Sequence, residues 1–357
     1  MQKQESGQTP IAIYGLSHAA VDAACAFAVF GPLAAASLDL GSFSFLVILY
    51  NALAFGLQAP LGLVADRWNL SRAAAMAGAL LTAAALFAGF SPLMLVILAG
   101  AGNALFHIGG GSIILRLAPG RAGPAGLYVA PGAFGVFAGT LLGKNAYPAA
   151  GILALVLLIA CIVFAFAKQP RSQPYSPSNF PPNLFALFLF LLLLSIAIRA
   201  FVGFAVVFSW KTDALLLWAL TLCIVAGKGF GGLMADKFGW LKISALSLLI
   251  SAPILAFFPS IPLLGLAGIF LFNITMPVTL AAIYRLFPSR PAFAFGIACM
   301  ALLAGSLPSF AFWRPTLGNP ALLFIVILAS AAALSGALYL MSSRDGSARK
   351  KSYAINY

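Results

Sequence analysis

Two pairs of polar residues stand one helical turn apart in otherwise apolar sequence: His18 with Asp22, and Asn103 with His107. Residues four apart share a helix face, and a carboxylate beside an imidazole can hold or pass a proton. His18 and Asp22 are therefore candidates for proton coupling; the alternative is a bonded pair that only fixes helix packing. Asn103 and His107 are candidates for substrate contact, against a buried His that merely donates to a carbonyl. Asn273 joins them as a polar residue in an apolar run. Two cations, Arg199 and Lys228, also fall inside apolar runs, where ionisable residues are costly and mark functional sites. Arg199 reads either as a partner of Asp22 or as the anchor of an anionic substrate, its planar fork suiting a carboxylate or phosphonate. Lys228 reads as a snorkelling side chain or, 170 residues beyond Gln58, as part of a gate. The four cysteines are scattered and form no C-x-x-C pair. With no H-E-x-x-H, nucleophile elbow or Walker-type loop either, no metal, cofactor or enzymatic activity is expected.

The elements that must position these residues are long and apolar. Hydrophobic residues make up 62% of the chain and charged ones 8%, with mean hydropathy +1.05, against about 25% charged in a soluble domain. Such a chain needs lipid as its solvent. Runs of about 18 to 25 residues, enough to span a bilayer, predict helices near 11–36, 42–63, 73–90, 92–117, 123–143 and 146–167. A second set follows near 183–208, 213–232, 242–259, 260–283, 292–313 and 319–341. The expectation is an all-α membrane protein of twelve transmembrane helices. Residues 1–167 form one six-helix bundle and 183–341 another, around a central cavity. A polar, Pro-rich cytoplasmic linker at 168–182 joins them, and 342–357 form a basic, disordered tail. The net charge of +13 does not mark a nucleic-acid partner, because the cations punctuate apolar runs. Fifteen of the 20 Lys and Arg residues fall on one side, with only Lys144, Lys211 and Arg314 on the other. The positive-inside rule then places both termini in the cytoplasm, with the inner membrane as location. The polar N-terminus carries no sign of a cleaved signal peptide.

The two halves echo each other. Residues 61–72, LGLVADRWNLSR, match 231–242, GGLMADKFGWLK, aligning Gly62 with Gly232, Asp66 with Asp236 and Arg67 with Lys237. RLAPGR at 116–121 is echoed by RLFPSR at 285–290. Both copies run in the same orientation, as in a parallel repeat. The first motif resembles the signature loop of the major facilitator superfamily, although the first copy has Asn69 where the second keeps Gly239. That resemblance spans the whole chain and implies that Gly62, Asp66, Arg67, Gly232, Asp236 and Lys237 form a gate latch rather than a substrate site. GLSHAAVD in helix 1 and GNALFHIGGGS in helix 4 look like the fosmidomycin-resistance branch of drug exporters. Gly132, Gly135, Gly139 and Gly143 resemble the exporters' fifth-helix motif without its Gly-Pro pair.

The function expected is secondary active transport of a small organic solute, anionic or amphipathic, by alternating access. Proton coupling and export are favoured. A proton-independent uniporter, a lipid- or receptor-type membrane protein and an intramembrane enzyme are the alternatives. The partners expected are a small-molecule substrate, protons and the lipid bilayer, for a chain acting as a monomer.

Overall fold

The computed structural model describes residues 8–167, 170, 180–310 and 318–354, with side chains for all of these but 309, 310 and 345–354. The linker at 168–182 falls mostly outside this set, as do residues 1–7, Trp313 and Arg314. The described residues are helical and contain no strand. In chain order the helices are α1 (Gln8–Leu33), α2 (Leu40–Arg67), α3 (Ser71–Ala85), α4 (Pro92–Leu117), α5 (Gly123–Lys144) and α6 (Ala150–Phe166). There follow α7 (Pro182–Ala205), α8 (Ala214–Phe238), α9 (Trp240–Phe257), α10 (Pro262–Leu286), α11 (Pro291–Phe310) and α12 (Pro320–Ala354). Among the described residues ten of these helices are long and apolar enough to cross a membrane, and α3 and α6 fall short by length.

The outer face is apolar: Ile152 is 70% exposed, and Ile325 and Phe190 are exposed to almost the same degree. Polar and small residues lie inside instead, including Gln58, Thr82, Ser195 and Arg199. Lipid removes the hydrophobic drive between helices, so association depends on close packing and interhelical hydrogen bonds. The glycines at 132, 135, 139 and 143 supply that closeness. A Cβ at Gly135 or Gly139 would overlap the α1 backbone at Ala19 or Ala23, and one at Gly143 would lie 2.8 Å from the Gly31 nitrogen. The column therefore seats α5 directly on α1. Farther along, α7 and α12 are tied by the hydroxyls of Ser195 and Ser330 at 2.8 Å.

Several helices differ from the sequence expectation in physically readable ways. α2 and α8 continue through Arg67 and Phe238, so both acidic motifs finish helices rather than occupying loops. The residues after each are left-handed, Asn69 at φ 52° and Gly239 at φ 98°. Asn is among the few non-glycine residues tolerated at positive φ, so both copies turn through a positive φ, although Gly239 at ψ 131° is the more extended. α10 is broken: one segment ends at Asn273 and the next begins at Met276. Pro277 has no N–H for the Asn273 carbonyl and disfavours helical geometry before it. The end of the chain, expected to be disordered, continues α12 as helix to Ala354.

Candidate functional site

Asp22 stands at the centre of a polar cluster made by α1, α4 and α5. Its carboxylate lies 3.2 Å from His18 Nε2 and 3.6 Å from His107 Nε2. Asn103 Nδ2 donates to it at 3.2 Å. Both imidazoles are fixed from behind: His18 donates Nδ1–H to the Tyr128 carbonyl at 2.9 Å, and His107 donates Nδ1–H to the Asn103 carbonyl at 2.8 Å. Because a carbonyl only accepts, Nδ1 of each ring holds a proton and Nε2 of each meets the carboxylate. Gly132 makes room, since a Cβ there would stand 2.6 Å from Asp22 Oδ2. The helix spacing that paired His18 with Asp22 is thus realised, and His107 joins them across the helix interface. The Asn103 Oδ1 and Tyr128 hydroxyl oxygen atoms are buried without a hydrogen-bond partner.

Arg199 is not paired with Asp22. Its Nη1 donates to Thr275 Oγ1, Nη2 donates to Thr279 Oγ1 at 2.8 Å, and Nε donates to the Ser195 carbonyl at 3.2 Å. The break in α10 brings Thr275 to this position, one turn before Thr279. Among the described residues no carboxylate lies within ion-pair distance of the guanidinium, which lines a cavity of about 260 Å³. Lys228 and Asn273 line the same cavity, along with Phe272, Phe295 and Leu302. Among the described residues the Lys228 ammonium has no hydrogen-bond or ion-pair partner. The sequence reading of Lys228 as a gate or snorkelling residue did not include this position, which depends on how α8 packs against α10. Phe295 adjoins both the cavity and the Asp22 cluster: its ring centroid is 6.1 Å from that of His107 and 6.0 Å from that of Tyr128.

The acidic motifs at one end of the bundle hold helix termini from the opposite half of the chain. Asp66 on α2 accepts from the Ala292 and Phe293 N–H groups at 3.1 and 2.8 Å, at the start of α11. Asp236 on α8 accepts from the Ala122 and Gly123 N–H groups, both at 2.8 Å, at the start of α5. The first N–H groups of a helix have no acceptor within it and carry its positive dipole end, so each carboxylate meets two needs at once. Gly62 and Gly232 allow the approach: a Cβ at Gly62 would stand 2.6 Å from the Ala292 carbonyl oxygen, and one at Gly232 would overlap that of Ala122. Arg116 and Arg121 flank the two carboxylates at 3.5 and 3.7 Å, and Trp240 Nε1 donates to Asp236 at 2.9 Å. Arg67 and Lys237, assigned to the latch from the motif, instead lie exposed over the rings of Trp68 and Phe238. The second echo, which contains Arg116 and Arg121, was the signal that could have found the flanking cations.

No protein-family model and no curated protein sequence matches the chain. Its structure is similar to that of the Escherichia coli fucose:proton symporter FucP, determined for a single-residue variant, with TM-score 0.71 and 15% identity over 94% of this chain and 99% of that one. A second FucP structure, a major facilitator superfamily transporter in the outward conformation, gives TM-score 0.69 at 15% identity over 92% and 98%. The human organic anion transporter MFSD10 (TETRAN) gives 0.68 at 15% identity over 93% and 100%. All three are transporters rather than enzymes. With nearly whole chains superposed in each case, the protein has the fold of the major facilitator superfamily transporters.

Proposed function

We propose that the protein is a secondary transporter for a small organic anion with an apolar part, built as two six-helix halves that rock about the central cavity. The observation that carries this reading is the pair of cations, Arg199 and Lys228, on one apolar-walled cavity with no acidic side chain among the described residues that line it. Among the described residues neither cation has a carboxylate within ion-pair distance; buried charge so placed is expensive, and an anionic substrate would supply a close counter-charge. Phe272, Phe295 and Leu302 would cover its apolar part. The two neighbours described as a proton symporter and an organic anion transporter agree with this class of cargo and coupling.

The Asp22 cluster is assigned the driving proton. With Nδ1–H of both imidazoles committed to carbonyls, a carboxylate facing two bare Nε2 lone pairs would be repelled. At least one proton must stand among the three side chains. The groups facing Asp22 are His18 from α1, Asn103 and His107 from α4 and Tyr128 from α5; the Lys228 cation approaches from α8. Asp66 and Asp236 latch the cytoplasmic end, and export is the favoured direction, from a multi-pass position in the inner membrane with both termini inside. The decisive measurement is uptake into proteoliposomes with an imposed pH gradient, screening carboxylates and phosphonates against neutral analogues. Lys228→Met and Arg199→Gln should each weaken anion binding about tenfold or more, the loss of one charged hydrogen bond, while neutral analogues are unaffected. Equal affinities of variants and wild type for the anions would end the reading.

A further inference from the structure

The Asp22 cluster has a second solution to its charge arrangement, one that a proton alone does not use. A carboxylate oxygen and two imidazole Nε2 atoms converge within 4.8 Å of one another. His18 Nε2 lies 3.2 Å from Asp22 Oδ2 and His107 Nε2 lies 3.6 Å from Asp22 Oδ1, so each imidazole meets its own oxygen of the one carboxylate. A tetrahedral ion with bonds of about 2.0–2.1 Å sets its ligand atoms about 3.3 Å apart, so the spacing suits one ion. Each imidazole also has its far nitrogen bonded to a backbone carbonyl, through Tyr128 and Asn103. This is the arrangement that fixes the tautomer and aims Nε2 at a metal.

A further atom points the same way. Asn103 is buried, its Oδ1 has no hydrogen-bond partner, and its amide touches Asp22. The two ends of an amide are interchangeable in shape. Turned over, the amide would set Oδ1 against the carboxylate, an arrangement that only a cation between them makes favourable, and it would supply a fourth ligand. The Asp22 side chain keeps 13% of its surface exposed, which leaves the centre reachable.

We propose that His18, Asp22 and His107 form a binding site for one borderline divalent transition-metal ion, of the Zn²⁺ and Co²⁺ class. Two imidazoles and one carboxylate are the donors this class prefers, whereas Mg²⁺ and Ca²⁺ need more oxygen ligands. The ion would occupy the place given above to the proton, so protons and metal compete there.

The test uses the untagged full-length protein in detergent, with Zn²⁺ in equilibrium dialysis and Co²⁺ followed by its visible d–d absorption. Wild type should bind one Zn²⁺ per chain and give the intense Co²⁺ bands of a four-coordinate site. Asp22→Asn and His107→Gln, which keep side-chain volume and elute as the folded protein does, should weaken both at least tenfold. Absence of stoichiometric binding in wild type, or variants that bind as wild type does, would overturn the site. Stoichiometric Zn²⁺ binding together with transport that ignores the pH gradient would keep the site and end the proton reading. pH-driven transport by a protein that binds no metal would do the reverse.

Discussion

The acidic centre of the first half and the cationic cavity of the second face the same interior, yet they are built on opposite plans. Around Asp22 every charge has a neighbour: two imidazoles and an amide converge on one carboxylate. Around Arg199 and Lys228 the neighbours are hydroxyls, a carbonyl and apolar walls. The two proposed latches, by contrast, are near copies, each an aspartate on two backbone N–H groups of the opposite half. The two halves of the chain therefore repeat the aspartate contacts at the helix starts and differ in the polar groups of the interior.

The comparison breaks most severely at Asp22. Asp22→Asn should abolish accumulation driven by a pH gradient while downhill exchange of substrate continues, as counterflow in proteoliposomes would show. A mutant that still concentrates substrate would make the cluster structural. Next in size is Arg199→Lys, which keeps the charge but loses the planar fork seated on Thr275 and Thr279. Anion affinity should fall about tenfold or more, read by binding titration, with neutral analogues unchanged.

The latches should respond equally if they are equivalent. Asp66→Asn and Asp236→Asn each remove a carboxylate from a helix N-terminus, worth about 1–2 kcal/mol in partly buried settings. Each should raise the open-to-closed ratio about 5- to 30-fold. Cysteine accessibility at the latch end reads that ratio, and a shift in only one variant would mean that one aspartate alone holds the gate. Gly139→Ala places a methyl against the Ala23 backbone and should cost about 1–3 kcal/mol as overpacking, visible as a lowered Tm. The smallest effect belongs to Asp39, which caps α2 outside the bundle through Ser42 and Gly41. Its hydrogen bonds to Ser42 hold the carboxyl below its usual value of 3.8. The cap therefore contributes fully above that value and is lost as pH falls through the depressed one. Asp39→Ala should lower Tm slightly at neutral pH and leave it unchanged in strong acid.

The sequence made some of this legible and hid the rest for definite reasons. Spacing of four residues gave His18 with Asp22, whereas the glycines of α5 were legible only as a resemblance to the exporters' fifth-helix motif. The break in α10 was signalled by Met276-Pro277 and went unread, because the apolar run continues through it. His107 reaching Asp22 depends on how α4 packs against α1, and Lys228 reaching the cavity of Arg199 on how α8 packs against α10; neither registers within one helix. The latch partners had no side-chain signature at all. Ala292, Phe293, Ala122 and Gly123 contribute only main-chain N–H groups, which every residue but proline carries.

Those four amides offer a direct readout of the proposed gate. As the opening N–H groups of α5 and α11 they have no acceptor within their own helices, so the aspartates and the burial of the contact shield them from exchange with deuterium. Their exchange rates then act as a clock for gate opening, readable in the unmodified protein without a label. A common rate for both pairs would mean that the two latches release in one motion. A slow pair and a fast pair would mean that the end of the bundle unzips from one side.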